Sequence, residues 1–259
     1  MKSIEVDSIE KLKGRKLEEN KKFSFKCHKG LACFNKCCRN INLFLYPFDI
    51  IRLKNALKIS SDEFIEKHVD IVLRPLNFFP DVLLSLNKDE EHTCPFLTES
   101  GCKVYEDRPY TCRTFPMEEG LLMDENIKNE KMVYLYRPPD FCLGQHEQQQ
   151  WTPCSWKSDQ KAMLYSEMTA KWAKIKALFH SDPWGIEGPY GAKGKMAFMA
   201  AYNVDKFKNF IFKSSFTQRY KVKPSTLKII KKNDIELMNF GFEFIKFFVW
   251  NIKSSQIDL

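Results

Sequence analysis

The sequence predicts an α+β protein, mainly α-helical, in which a loop-rich cysteine-cluster region is packed with a helical C-terminal half. Three observations carry this expectation. All nine cysteines fall at or before Cys154, among prolines and turn residues. Beyond that point apolar residues recur at helical steps. The chain of 259 residues is 44% hydrophobic and 14% aromatic, enough apolar mass for a sizeable core. The corresponding division is a metal-binding region over 1–156 and a helical region over 157–259, either separate or joined in one compact domain.

In chain order, Pro47 to Lys58 reads as a helix that starts on a proline, whose fixed φ suits a first turn. Ser60-Ser61-Asp62-Glu63 is a capping box that opens a second helix running through His68. Short apolar runs at Asp70–Leu76, Asp81–Leu86 and Met132–Tyr136 read as strands. Leu164, Met168, Trp172, Ile175 and Phe179 form one stripe on a helix of about five turns, best explained by core packing. Gly185, Gly188, Pro189, Gly191 and Gly194 then predict a loop. Helical patterns resume over Asp205 to Phe216 and Asn233 to Asn251, the last opening on Asn233 with Glu236. The many phenylalanines after Phe207 are explained more cheaply as a bundled core than as a partner surface.

The formal charge of +8 is dispersed through a sequence that is 29% charged, a pattern of solubility that gives little support to nucleic-acid binding. Met1 to Lys22 holds no apolar stretch long enough for a signal-peptide core, so a cytoplasmic protein is expected. The most hydrophobic segment, Phe240 to Ile252, is interrupted by Glu243 and Lys246 and falls short of a membrane span. Closely spaced cysteines in a reducing compartment serve metals or redox chemistry more often than disulfides.

Those cysteines fall in two groups. Cys27, Cys33, Cys37 and Cys38 place four thiols within twelve residues, with Gly30 easing the turns. Cys94, Cys102 and Cys112 follow on a segment stiffened by Pro95, Pro109 and Pro116, which hold loops in fixed non-helical shapes. Cys142, after Pro138-Pro139, is a candidate eighth ligand, and the role of Cys154 is left open. Buried cysteine packs as a small hydrophobe, which explains a single thiol but not seven in two short windows. Thiolates bind zinc and iron–sulfur clusters, both tetrahedral in sulfur. The second group has no tight zinc-type hook, which favours an iron–sulfur cluster over zinc. Adjacent Cys37 and Cys38 cannot easily aim at one centre, so two four-cysteine sites and one cluster with spare thiols both stay open. His28 and His92, beside cysteines, are alternative ligands. Arg108 and Arg113 are expected to lie against the cofactor and balance its negative charge. No nucleophile elbow, phosphate loop or H-E-x-x-H motif appears, so hydrolase and kinase chemistry have no support.

Phe25-x-Cys27, Cys33-x3-Cys37-Cys38, Cys94-Pro95-Phe96-Leu97, Gly101-Cys102-x-Val104-Tyr105-Glu106-x-Arg108-Pro109 and Cys112-Arg113-x-Phe115-Pro116 form a specific signature. It resembles the bacterial YkgJ-like cysteine-cluster proteins, the CxxCxxCC family of zinc- or iron-chelating domains. Ala201 to Phe207 and the helix around Phe240-Gly241-Phe242 look like the tail of its longer members. The chain departs from the family pattern by stretching its first gap to five residues. The resemblance implies metal coordination by these cysteines and an Fe–S oxidoreductase role with an unspecified redox or protein partner. A non-catalytic zinc module for protein interaction is the alternative. A more distant similarity to flagellin lysine methylases is weakened because no glycine-rich strand–helix motif for a methyl donor is present.

Overall fold

The computed structural model describes residues 2–5, 12–75, 77–123 and 131–258. It is α+β and mainly helical, with small scattered sheets. Two compact units divide the chain, and each draws on two stretches: Met1–Leu43 with Leu86–Lys174, and Phe44–Ser85 with Ile175–Leu259. The first helices and hairpin of the chain therefore belong with the C-terminal helices. All nine cysteines belong to the first unit.

The elements in chain order are β1 (Lys2–Glu5), β2 (Arg15–Leu17), β3 (Phe23–Ser24), α1 (Pro47–Leu57), α2 (Ser61–His68), β4 (Val69–Val72), β5 (Asp81–Leu84), β6 (Leu97–Thr98), β7 (Gly101–Cys102) and α3 (Tyr110–Thr114). Then come β8 (Met117–Met123), β9 (Lys131–Tyr136), β10 (Gln150–Trp151), α4 (Pro153–Asp159), α5 (Met163–Ala177), α6 (Ala192–Tyr202), α7 (Val204–Lys213), α8 (Phe216–Arg219), β11 (Lys221–Val222), α9 (Pro224–Ile230), α10 (Asp234–Trp250) and β12 (Ile257–Asp258).

The first unit is built on a sheet of order β1-β8-β9-β2, parallel between β1 and β8 and antiparallel elsewhere. Leu17, Phe23, Phe25, Met117, Tyr134, Cys142 and Trp156 form its core. The polar ends of three of its aromatics donate to carbonyls, as buried donors do. Trp156 Nε1 donates to Thr114 O at 2.8 Å, Trp151 Nε1 to Phe25 O at 2.8 Å, and Tyr136 Oη to Ser24 O at 2.8 Å. The expected strand over Met132–Tyr136 is β9.

In the second unit both early helices form where expected. Ser60 Oγ accepts from Glu63 N at 3.1 Å, the first half of the predicted capping box. The apolar runs after His68 pair as the antiparallel hairpin β4–β5; β4 ends at Val72, short of the run expected, and Leu76 lies outside the described residues. Of the predicted stripe, Met168, Trp172, Ile175 and Phe179 are buried, but Leu164 in the first turn of α5 is 43% exposed, and Ala162 and Tyr165 are buried instead.

Gly194 corrects the predicted glycine loop, for it lies inside α6, where a Cβ would sit 1.9 Å from Pro189 O. The glycine is kept for close approach, not for a turn. Short α4 and α9 also went unpredicted, although each opens on a proline. The helix expected over Asp205 to Phe216 breaks at Ser214 and Ser215 into α7 and α8. Phe207, Phe216, Phe240, Phe242, Phe244 and Phe247 are buried, so the aromatic density is core as expected.

Helix α10 packs against α6 at Gly241, where a Cβ would meet Ala200 O at 2.3 Å. Gly241→Ala is expected to cost about 2 kcal/mol despite alanine's better helix propensity, because one helix must back away. Urea denaturation checks this, and an unchanged midpoint would refute it. Among the described residues no helix is long and apolar enough to cross a membrane.

Candidate metal centre

Four separate segments deliver the thiols, and backbone hydrogen bonds join them in two places. In the first, Lys26 N donates to Gly144 O at 3.0 Å and Phe25 N to Gln149 O at 2.8 Å, laying the start of the first cysteine group along the loop after Cys142. Gly144 permits this approach, because a Cβ there would meet Lys26 O at 2.7 Å. Across the same seam Leu143 N donates to Cys33 Sγ at 3.2 Å. Cys142 N is held by Pro139 O at 2.8 Å, so the Pro138-Pro139 turn fixes the Cys142 backbone.

In the second place, Cys94 N donates to Cys38 O at 2.8 Å, Asn40 N to His92 O at 3.0 Å, and Arg39 bridges Thr93. Cys37 and Cys38 lie on a single 3₁₀ turn, Lys36–Cys38, entered through Asn35 at φ 66°. Cys94-Pro95-Phe96-Leu97 closes a turn by Leu97 N to Cys94 O at 2.9 Å, and Leu97 pairs with Cys102 across the β6–β7 hairpin. Gly101, at φ 122°, makes that hairpin possible, since L side chains rarely adopt such a conformation. Cys112 follows on α3, exposed.

The thiols sense one another. Burial pushes Cys27 up to about 11, helped by the charges of Cys37, Cys142 and Cys33. Cys38 hydrogen-bonds to Cys37, which raises the Cys38 thiol further than burial and the charges of Cys37, Cys112 and Cys94 would alone. The same bond holds Cys37 down at about 7 against its burial, with Arg39 assisting. One proton is thus shared across two adjacent sulfurs. Burial raises Cys94, Cys102 and Cys142 as well.

Opposing that burial are backbone N–H groups, which favour the thiolate: Phe96 and Leu97 at Cys94, Val104 at Cys102, and Gly144 and Gln145 at Cys142. Such donors stabilise sulfur ligands and tune the metal they hold. Sequence reasoning missed them; the Cys-Pro-x-Leu turn is the signal that could have found those at Cys94.

Arg108 and Arg113 take different roles. Arg108 lies with Cζ 3.9 Å from the Tyr105 ring centroid and donates to Tyr105 O at 2.6 Å and Gln160 Oε1 at 2.7 Å. Its charge also favours the Cys102 thiolate. Arg113, only 2% exposed, donates to Gln160 O and Glu106 O, each at 2.6 Å, and stacks over Tyr165 at 4.4 Å. It clamps the Cys102–Cys112 loop onto the start of α5. His28 accepts from Gly30 N through Nδ1 at 3.2 Å and faces Glu147 through Nε2 at 3.6 Å. His92, at φ 48°, serves its turn through backbone bonds. Cys154, exposed on α4, is not among the thiols acting on the others.

Among the described residues no three Cys, His, Asp or Glu side chains stand at metal-ligand separation. What suits the region to a soft metal is the chemistry of the donor set: eight neighbouring thiols on short loops, four of them facing backbone N–H groups. That donor set defines a cysteine-cluster domain. Residues 26–153 match the CxxCxxCC family model, described as "Putative zinc- or iron-chelating domain". Comparison with curated proteins and with solved structures finds no match.

Proposed function

We propose that the first unit binds iron through its cysteines as an iron–sulfur centre and works in electron transfer or redox modification of a protein partner in the cytoplasm. The observation that carries this reading is the set of backbone N–H groups facing the sulfurs of Cys33, Cys94, Cys102 and Cys142, the kind of donor that supports a metal-held sulfur ligand. Cys27, Cys33, Cys37, Cys38, Cys94, Cys102, Cys112 and Cys142 would hold the metal. A bound cluster supplies one-electron chemistry. Arg108 offsets its negative charge at Cys102, and Arg113 keeps the loop in place. Zinc held for folding alone is the second reading, favoured by the shortness of the elements around the thiols, which a structural metal would hold together.

Anaerobic purification followed by metal analysis and visible spectroscopy tests the proposal. A brown protein whose absorption is bleached by dithionite is expected. A colourless protein with stoichiometric zinc would sink the iron reading.

A further inference from the structure

One strand of the second unit has an open edge. Among the described residues β4 pairs with β5 and with no other strand, whereas β5 is covered on its far side by Phe44 and Leu45. In an antiparallel pair, alternate residues turn their N–H and C=O toward the partner strand or away from it. Val82 O accepts from Leu45 N at 2.8 Å, so Val82 turns away from β4, and Ile71, opposite it in register, turns away from β5. Ser85 N donates to His68 O at 2.9 Å, which sets the same alternation at the head of the hairpin. The N–H and C=O of Ile71 therefore point to the open edge. Such edges are templates for another strand, and proteins commonly blunt them with charge, proline or a cover. Here Ile71 is 43% and Val72 38% exposed, and the charge of β4, on Asp70, is engaged by Ser85 Oγ at 2.7 Å.

Ile71 also lines a groove of about 430 Å³ that runs beside α6. Its apolar wall includes Tyr190, which is 56% exposed, and Met196, Phe198 and Met199, which are half-buried. Methionines adapt their shape to varied side chains. The charged residues of the lining are Lys195 and Lys206, and no acidic side chain lines it among the described residues. Lys206 lies 3.9 Å from Asp62, whereas Lys195 is exposed and has no acidic partner among the described residues.

We propose that the β4 edge and this groove take an extended acidic segment of a partner protein, added as a strand beside β4, with apolar side chains at alternate positions entering the groove. Main-chain bonds to Ile71 supply affinity in this mode, and the groove and its lysines supply selectivity. Charge argues against a second copy of this chain as the occupant. Pairing two copies would bring two cationic grooves together on chains of net charge +8, whereas an acidic segment is attracted. The inference is independent of the metal reading, because all of these residues belong to the second unit.

The test is fluorescence anisotropy of a short fluorescein-labelled peptide of alternating glutamate and valine, titrated with the full chain. Saturable binding that weakens as salt is raised is expected, with no binding of the matching lysine–valine peptide. Lys195→Glu should weaken binding about tenfold. Ile71→Pro should abolish it, because proline removes the outward N–H and leaves the bonds between β4 and β5 in place, which far-UV circular dichroism checks. Absence of binding by the unaltered chain, equal binding of the two peptides, or undiminished binding by a folded Ile71→Pro chain overturns the proposal. If Ile71→Pro does not fold, Lys195→Glu decides, and unchanged affinity in that variant overturns it. A concentration-dependent dimer of the unaltered chain, seen by sedimentation and lost in folded Ile71→Pro, would assign the edge to a second copy and overturn it too.

Discussion

Stripping the metal from the full chain with a chelator is expected to release the cysteine loops while leaving the second unit folded. The regular structure around the thiols is slight. β6 and β7 are two residues each, α3 is five, and the turn bearing Cys37 and Cys38 is three. Elements this short do not hold themselves, because each residue fixed costs about 1–2 kcal/mol of conformational entropy. A structural thiolate metal contributes on the order of 10–16 kcal/mol, comparable to the whole stability of a domain.

Without it, Cys33, Cys94 and Cys142 are left as buried thiols among N–H donors that suit thiolates. Hydrogen exchange read by mass spectrometry should then show lost protection over residues 27–40 and 92–112. Helices α6, α7 and α10 should exchange as before, because their core is made within the second unit. Acid should mimic the chelator, since protons compete for the same sulfurs. Unchanged protection of both cysteine loops after complete metal removal would refute the expectation.

How much of this was legible in the sequence follows from the range of each interaction. Helices α1, α2 and α10 were readable because a proline, Ser60 and Asn233 mark their starts within a few residues. The glycine run misled because Gly185 and Gly188 do sit at positive φ, whereas Gly194 is small for a tertiary reason that local sequence does not encode. Leu164 misled because periodicity gives a face, and which end of that face is covered depends on the partner. At the site, residue types and spacing named the thiols. How their segments join could not be read, because it depends on pairings such as Cys38 with Cys94 and Cys33 with Leu143, 56 and 110 positions apart. Arg113, expected from its place beside Cys112 to balance the cofactor's negative charge, also donates to the carbonyls of Glu106 and Gln160, contacts that adjacency in sequence does not reveal.

Removing the ammonium group of Lys54 should destabilise the second unit by about 3 kcal/mol at neutral pH. Lys54 on α1 is 6% exposed, and its Nζ lies 3.3 Å from Asp205 Oδ1 and 3.0 Å from Asp234 Oδ2. Those carboxylates stand in the first turns of α7 and α10, where the helix dipoles favour negative charge but do not replace a counter-ion. Asp205 is committed further, since its Oδ2 accepts from Ser61 N at 2.7 Å, and Ser61 Oγ bonds Asn203 Oδ1 at 2.8 Å. One ammonium thus ties the starts of α2, α7 and α10 to α1. In Lys54→Met the stem is kept and the charge lost, leaving two partly buried carboxylates, with Lys208, 3.1 Å from Asp234, as a remaining cation.

Burial works against the Asp234 charge, but Lys54 and Lys208 outweigh it and hold its carboxyl below the usual range. Its contribution is therefore present above the unfolded value of about 3.9 and is lost as pH falls through the lower folded value. Urea denaturation should accordingly show a large gap between Lys54→Met and the unaltered chain at pH 7 and a much smaller one near pH 3. Asp234→Asn placed on Lys54→Met should recover part of the loss, because it removes one of the two stranded charges. A gap that stays constant between the two pH values would mean that the lysine acts through its packed stem instead of its charge.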